Sequence, residues 1–397
     1  MTPSWPRHRV LGVDAARGVA LLGMLSVHIV APVDAAGEVS LAFMVAAGRS
    51  SALFAVLAGV GLALLTRWTP ETKRRRRTHD RVAVATRAAL IVAIGLFLGT
   101  FDSGVAVILV YYGAFFVLTL PFLGLSSRAL ATWSAATVLL APVLSHLLRP
   151  YLPAASYAVP TLDFFDRSWW AALTELTLTG YYPALPWMAY LFAGLAIGKL
   201  PLRSPAVARQ LLVGGAVLAA GSWAASWLLL NRLGGLDALR SQASELFGQP
   251  LETALSVGLF GTTPTGSWWW LSVSAPHTAT PFDLGTTIGS SMAVLGLWLL
   301  VLRGPRLWAQ PLVAVGGMTL TLYSLHVMLL EDWLPRTMAN AYLWHVLVVT
   351  VAAVLWRRYV GQGPLEYVTQ KTARGVSTLL VPLGKRPAPR PSSAARP

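Results

Sequence analysis

A chain of 397 residues that is 55% hydrophobic and 12% charged holds more apolar surface than one water-soluble core would bury. Its formal net charge of +15 raises nucleic acid as a partner, yet the basic run 73–77 has no interleaved aromatic residue and suits anionic lipid headgroups or the phosphates of a cytosolic cofactor, so no nucleic acid is expected. With no cysteine, a thiolate nucleophile, a disulfide framework and a zinc-thiolate centre are excluded.

In chain order, ten nearly uncharged stretches are long enough for a hydrocarbon core of about 30 Å: 10–33, 39–65, 82–98, 105–122, 129–148, 180–200, 211–230, 282–302, 312–330 and 342–359. They predict an all-α, polytopic membrane helix bundle of about ten transmembrane helices, in a single domain over residues 1–368. The first run is too long for a signal peptide, carries Asp14 and Arg17 and has no convincing cleavage site, so it is expected to stay as the first helix. Two longer segments, 149–179 and 231–281, mix apolar and polar residues. Within the second, 251–260 reads as an interfacial or re-entrant helix, and Trp268, Trp269 and Trp270 as an aromatic belt rather than a sugar-stacking platform. Residues 369–397 form a basic, Pro-rich cytoplasmic tail that is expected to be largely disordered. No internal repeat is evident.

Charge placement gives the orientation. With ten helices and both termini cytoplasmic, 24 of the 31 basic residues fall on the cytoplasmic side and 12 of the 16 acids outside, as the positive-inside rule requires. Arginine outnumbers lysine 27 to 4, which fits a GC-rich bacterial coding sequence and hence a multi-pass protein of the bacterial inner membrane.

Ionisable residues inside spans are costly, at about 2.5–3.5 kcal/mol each on insertion scales, and usually face a cavity with a task. Arg17 and His28 are eleven residues apart, a rotation of roughly three turns plus about 20°, so they share one face of the first helix with Leu21 and Met24. Asp14 lies beside that stripe. A neutral His28 could accept a proton or attack an activated carbonyl, or could simply bond between helices. Arg49, near mid-membrane in Gly48-Arg49-Ser50-Ser51, needs an anionic partner; Asp14, Asp34 or a phosphate would serve, the first two as a structural ion pair. Arg87 at the start of the third helix could snorkel or bind a phosphate. Ahead of the eighth helix, His277 could orient an acceptor or assist a base, while Pro281 and Asp283 suit a helix N-terminus. Thr319, Tyr323 and His326 form a second polar stripe, and His146 and His345 near outer helix ends are expected to be solvated. No H-E-x-x-H, G-x-S-x-G or Walker pattern is present, and no metal site is expected.

The stretch from Arg9 through Asp14 and Arg17-Gly18 to Met24 resembles the opening of the YeiB-like bacterial membrane proteins, related to the heparan-α-glucosaminide N-acetyltransferase family. Gly48-Arg49 to Gly59, Pro276-His277, Pro281 to Asp283 and Gly363-Pro364-Leu365-Glu366 are similar to that group too, so the likeness spans most of residues 9–368. Within the wider transmembrane acyltransferase superfamily, an arginine, ten intervening residues and a histidine match Arg17 and His28. A lysosomal branch has asparagine at the position of His28 and uses a histidine in the following loop. Here the loop 31–39 has none, which makes His28 the candidate base.

The resemblance implies that cytosolic acyl-CoA, most simply acetyl-CoA, is the donor and needs no metal. A hydroxyl or amine on an extracytoplasmic envelope carbohydrate or glycolipid would be the acceptor. His28, with His277 and Asp283, would carry the chemistry. Arg17, Arg49, Arg87, Asp14, Tyr323 and His326 would bind substrate. The intramembrane charges also fit a transporter or flippase for an envelope lipid or small anion, which would move its ligand without acyl chemistry. A homo-oligomer is compatible with the sequence and not required by it.

Overall fold

The computed structural model describes residues 9–66, 68, 72–164, 168–247, 250–304 and 306–383, apart from the side chains of 164 and 242–247. Among these the secondary structure is helical, with one isolated β-bridge between Val33 and Val39 closing the first turn. The helices are α1 (Leu11–Ile29), α2 (Leu41–Ala46), α3 (Arg49–Thr66), α4 (Arg74–Leu98), α5 (Leu109–Thr119), α6 (Ser127–Leu148), α7 (Trp169–Thr174) and α8 (Ala184–Gly198). They continue as α9 (Pro205–Asn231), α10 (Gly235–Phe247), α11 (Leu251–Val257), α12 (Pro281–Val301), α13 (Gln310–Gly316), α14 (Thr319–Glu331), α15 (Ala341–Tyr359) and α16 (Pro364–Leu380).

Seven of these helical stretches are long and apolar enough to cross a membrane, or eight if the bent pair α13–α14 counts as one. The protein is therefore a multi-pass membrane helix bundle. Two of the ten stretches expected from hydropathy are shorter helices, α5 with 11 residues and α8 with 15. At 1.5 Å per residue they reach about 16 and 22 Å, short of a hydrocarbon core. Both are built into the centre: Tyr111, Phe115, Leu191 and Leu195 are fully buried. Most of their apolar character belongs to a protein core, while Val117 and Leu118 at the end of α5 are exposed.

Two breaks shape the site. The second span bends at Ala47–Gly48, where Gly48 takes a positive φ of 67° that a side chain would strain. A Cβ on Gly48 would also lie 3.1 Å from Pro276 Cα and 3.3 Å from His277 N, so the break is where the loop ahead of α12 seats. The other break separates α13 from α14 at an angle of 74°. It exposes the first backbone N–H groups of α14 inside the bundle, and Glu366 from the first turn of α16 receives them. Leu320 N donates at 2.7 Å, Thr321 N at 3.2 Å and the Thr321 hydroxyl at 2.6 Å. A carboxylate at a helix N-terminus satisfies both the orphan donors and the helix dipole.

The chain after residue 368 is not tail at once: α16 runs on to Leu380, burying Thr369, Ala373 and Ser377, and Ser377 Oγ lies 3.1 Å from His79 Nε2 of α4. The expected disorder from Lys385 onward falls outside the described residues.

Candidate functional site

Helix α1 carries the site because its periodicity sets Arg17, Met24 and His28 on one side. Near its start, Asp14 is buried and forms ion pairs with Arg9 at 3.1 Å and Arg17 at 3.7 Å. The Arg17 Nη2 also donates to the Leu57 carbonyl at 3.3 Å. Room for this guanidinium comes from Gly61, where a Cβ would sit 2.5 Å from Nη2.

Three spaces adjoin α1. A wide cavity of about 1190 Å³ is lined by Arg9, Asp14, Arg17, Trp68, Arg77, Lys199 and Arg203. A second, of about 390 Å³, shares Arg17 with the first and adds Arg87, Tyr112, Tyr323 and Glu366. A third, of about 30 Å³, shares Met24, Ile108 and Tyr323 with the second and ends at His28, His277 and Tyr182. Thirty cubic ångströms hold about one or two waters, whereas the other two match small-molecule sites. Arg17 and His28 thus line adjoining voids, and Met24 stands at the neck. Leu21 of the expected stripe is fully buried and lines none of the three.

At the narrow end, His28 Nδ1 lies 3.2 Å from His326 Nε2. His277 faces the same small cavity from a tight loop in which His277 and Ala279 both take positive φ, 55° and 51°. Such conformations persist only where the surroundings fix them. Asp283 supplies part of that hold: its carboxylate accepts Ala279 N–H at 2.9 Å, while Asp283 N donates to the Thr280 hydroxyl at 3.1 Å. The Thr280 hydroxyl bonds in turn to the Val273 carbonyl. The His277 ring stacks at 13° to Trp187 and meets Tyr181 and Tyr182 edge-on. Burial among these rings pushes the His277 imidazole down to about 4, and its Nδ1 has no hydrogen-bond partner.

The remaining candidates divide. Arg87, Tyr323 and Asp14 lie on the cavities, as does Thr319. His326 is fully buried and lines none of them. Arg49 opens α3, and its Nη1 donates to the Met44 carbonyl at 2.6 Å rather than forming a close ion pair. Asp34, one anion considered for it, is occupied by its own turn, accepting from Ala36 and Glu38 at 2.9 Å. His146 is buried against Trp268, and His345 is fully buried, so neither is solvated. Trp268 is exposed while Trp270 is fully buried in a small satellite core, so the tryptophan run does not act as one surface.

Sequence reasoning gave no part in the site to His345, Tyr112, Lys199 or Arg203. Tyr112 is buried with a hydroxyl that makes no hydrogen bond, facing the middle cavity. Only its place beside Gly113 in a short polar interruption hinted at it. Among the described residues no three His, Cys, Asp or Glu side chains are grouped to hold a metal ion.

Residues 9–226 match the family model for the catalytic region of heparan-alpha-glucosaminide N-acetyltransferase, more than half of the chain. The chain belongs to this family. No curated protein matches it. The matched region of this heparan-α-glucosaminide N-acetyltransferase family member contains Arg17, His28, Arg49 and Arg87. It stops before His277, Asp283, Tyr323, His326 and His345, which complete the site from the second half of the chain.

Proposed function

We propose that the protein is a membrane-embedded acyltransferase that moves an acyl group, acetyl in keeping with its family, from cytosolic acyl-CoA to an extracytoplasmic envelope sugar or glycolipid of a bacterial inner membrane. The observation that carries this reading is the series of adjoining cavities from the arginine-rich mouth to His28. Arg9, Arg17 and Lys199 in the wide cavity suit the phosphates of CoA, with Arg87 further in. The pantetheine arm would follow the middle cavity, where the Tyr112 hydroxyl lacks a hydrogen bond and, with Tyr323 beside it, could meet its amides or the thioester carbonyl. The acceptor would enter beside His277.

In the transfer, an acceptor O–H or N–H gives its proton to His28 Nε2 as the oxygen or nitrogen attacks the thioester carbon. The new C–O or C–N bond forms, the tetrahedral oxyanion collapses, and the C–S bond breaks. The CoA thiolate leaves and takes the proton back from His28. His28 attacking the carbonyl itself, with later transfer to the acceptor, would use the same nitrogen.

The test is purified protein in lipid with labelled acetyl-CoA and an envelope lipid extract, reading CoA release and label on the extract. Wild type should transfer label and His28→Ala should not. Full activity in His28→Ala would remove His28 from the mechanism, and movement of an intact ligand without CoA release would favour a transporter.

A further inference from the structure

Three histidines from three helices lie in one hydrogen-bonded line. His28 Nδ1 is 3.2 Å from His326 Nε2, His326 Nδ1 is 2.9 Å from His345 Nδ1, and His345 Nε2 is 2.8 Å from the Leu334 carbonyl oxygen. The His28 and His326 rings are 13° from parallel with centroids 5.4 Å apart, so they meet edge to edge through the N···N contact. His326 and His345 are fully buried. Their helices, α14 and α15, both pack on α1, and the Tyr342 hydroxyl ties α15 to the Leu22 carbonyl at 3.4 Å.

The end of the line fixes its direction. A carbonyl oxygen only accepts, so His345 Nε2 carries the hydrogen, and in a neutral ring its Nδ1 is then the acceptor. His326 must donate from Nδ1 and accept at Nε2. His28 must then donate from Nδ1, which leaves its Nε2 with a free lone pair. The opposite direction would set the lone pair of His345 Nε2 against that of the carbonyl oxygen.

We propose that His326 and His345, ending on the Leu334 carbonyl, are positioning residues that hold His28 in the one tautomer able to take a proton at Nε2. The proposal rests on the reading of His28 as the base. A histidine free to choose would spend part of its time with Nε2–H, which has no lone pair for the task. Soluble triads solve the same problem with a buried carboxylate. Here a chain of neutral rings does so without placing another charge at membrane depth, where charge is costly. When His28 gains the acceptor's proton, its Nδ1–H donates more strongly to His326, and the chain can share that proton toward Leu334.

Nitrogen-15 NMR of the full chain in lipid, with labelled histidine side chains assigned by single substitutions, reads each tautomer directly. Wild type should carry hydrogen on Nδ1 of His28 and of His326 and on Nε2 of His345. His345→Leu removes the acceptor: His28 should become a mixture, and the kcat for CoA release from acetyl-CoA should fall by about tenfold or more with KM little changed. His345→Asn offers Oδ1 where Nδ1 was; it should keep the His28 tautomer and stay within about threefold of the wild-type rate. Hydrogen on Nε2 of wild-type His28, a doubly protonated His326, or an unchanged His28 signal in folded His345→Leu would each overturn the proposal. If the leucine variant does not fold, the wild-type tautomers and the asparagine variant decide. A wild type with the stated tautomers but no CoA release would sink the acyltransferase reading and leave the relay standing.

Discussion

At the Arg17 end of α1 the cavities are wide and charged: Asp14, Arg9 and Arg17 pair within 3.7 Å beside about 1190 Å³ of open space. Three turns further on, at His28, the space shrinks to about 30 Å³, and its lining holds no Lys, Arg, Asp or Glu. One helix face therefore serves two purposes. Charge and volume suit holding a large anionic donor, where affinity grows with phosphate contacts. Tightness and neutral rings suit a proton transfer, which needs fixed geometry and little water. The comparison can be broken at either end.

The largest effect is expected at the narrow end. His28→Ala should lower kcat by about two to four orders of magnitude while acetyl-CoA still binds, because general base catalysis supplies roughly that factor. Isothermal titration with a non-hydrolysable acetyl-CoA analogue, beside turnover, separates the two; equal loss of binding would put His28 in the donor site instead.

His277 should mark the same end through stability. Its imidazole is held down at about 4 against an ordinary 6.5, so between those values the unfolded chain binds more protons than the folded one. The stabilisation is present above pH 6.5 and is lost as pH falls toward 4, by up to about 3 kcal/mol. Thermal unfolding measured across that window should show a shallower decline in His277→Asn than in wild type.

At the wide end the effects should be smaller and should appear in KM. Arg17→Gln removes a charge from both larger cavities, and KM for acetyl-CoA should rise about tenfold, with a weaker dependence on salt. A rise in KM matched by an equal fall in kcat would instead tie Arg17 to the reacting centre. Gly61→Ala is the mildest: a Cβ 2.5 Å from Arg17 Nη2 should displace the guanidinium and raise KM about threefold. Combined with Arg17→Gln it should add little, which a double-mutant cycle reads.

Much of this was legible along single helices. Arg17 and His28 share a face because rotation per residue is a local property of the backbone, and Pro281 and Asp283 mark the start of α12 for equally local reasons. Hydropathy found the apolar stretches but could not separate lipid-facing spans from the buried α5 and α8, since both environments favour the same side chains. For Arg49 the sequence asked for an anionic partner; the bend at Gly48 makes it the first residue of a second helix, where its guanidinium meets the Met44 carbonyl. His345 was read as solvated from its place near a helix end; packing of α14 and α15 on α1 buried it.

By itself, the amino-acid order determined an all-helical membrane bundle and the pairing of guanidinium with imidazole along α1, because both follow from side-chain polarity and the helical repeat. Only the tertiary structure decided which rings meet His28, where His277 sits against Gly48, and that Glu366 caps α14. Those contacts join residues up to 298 positions apart, and they exist only once many weak interhelical contacts have set the helices in register.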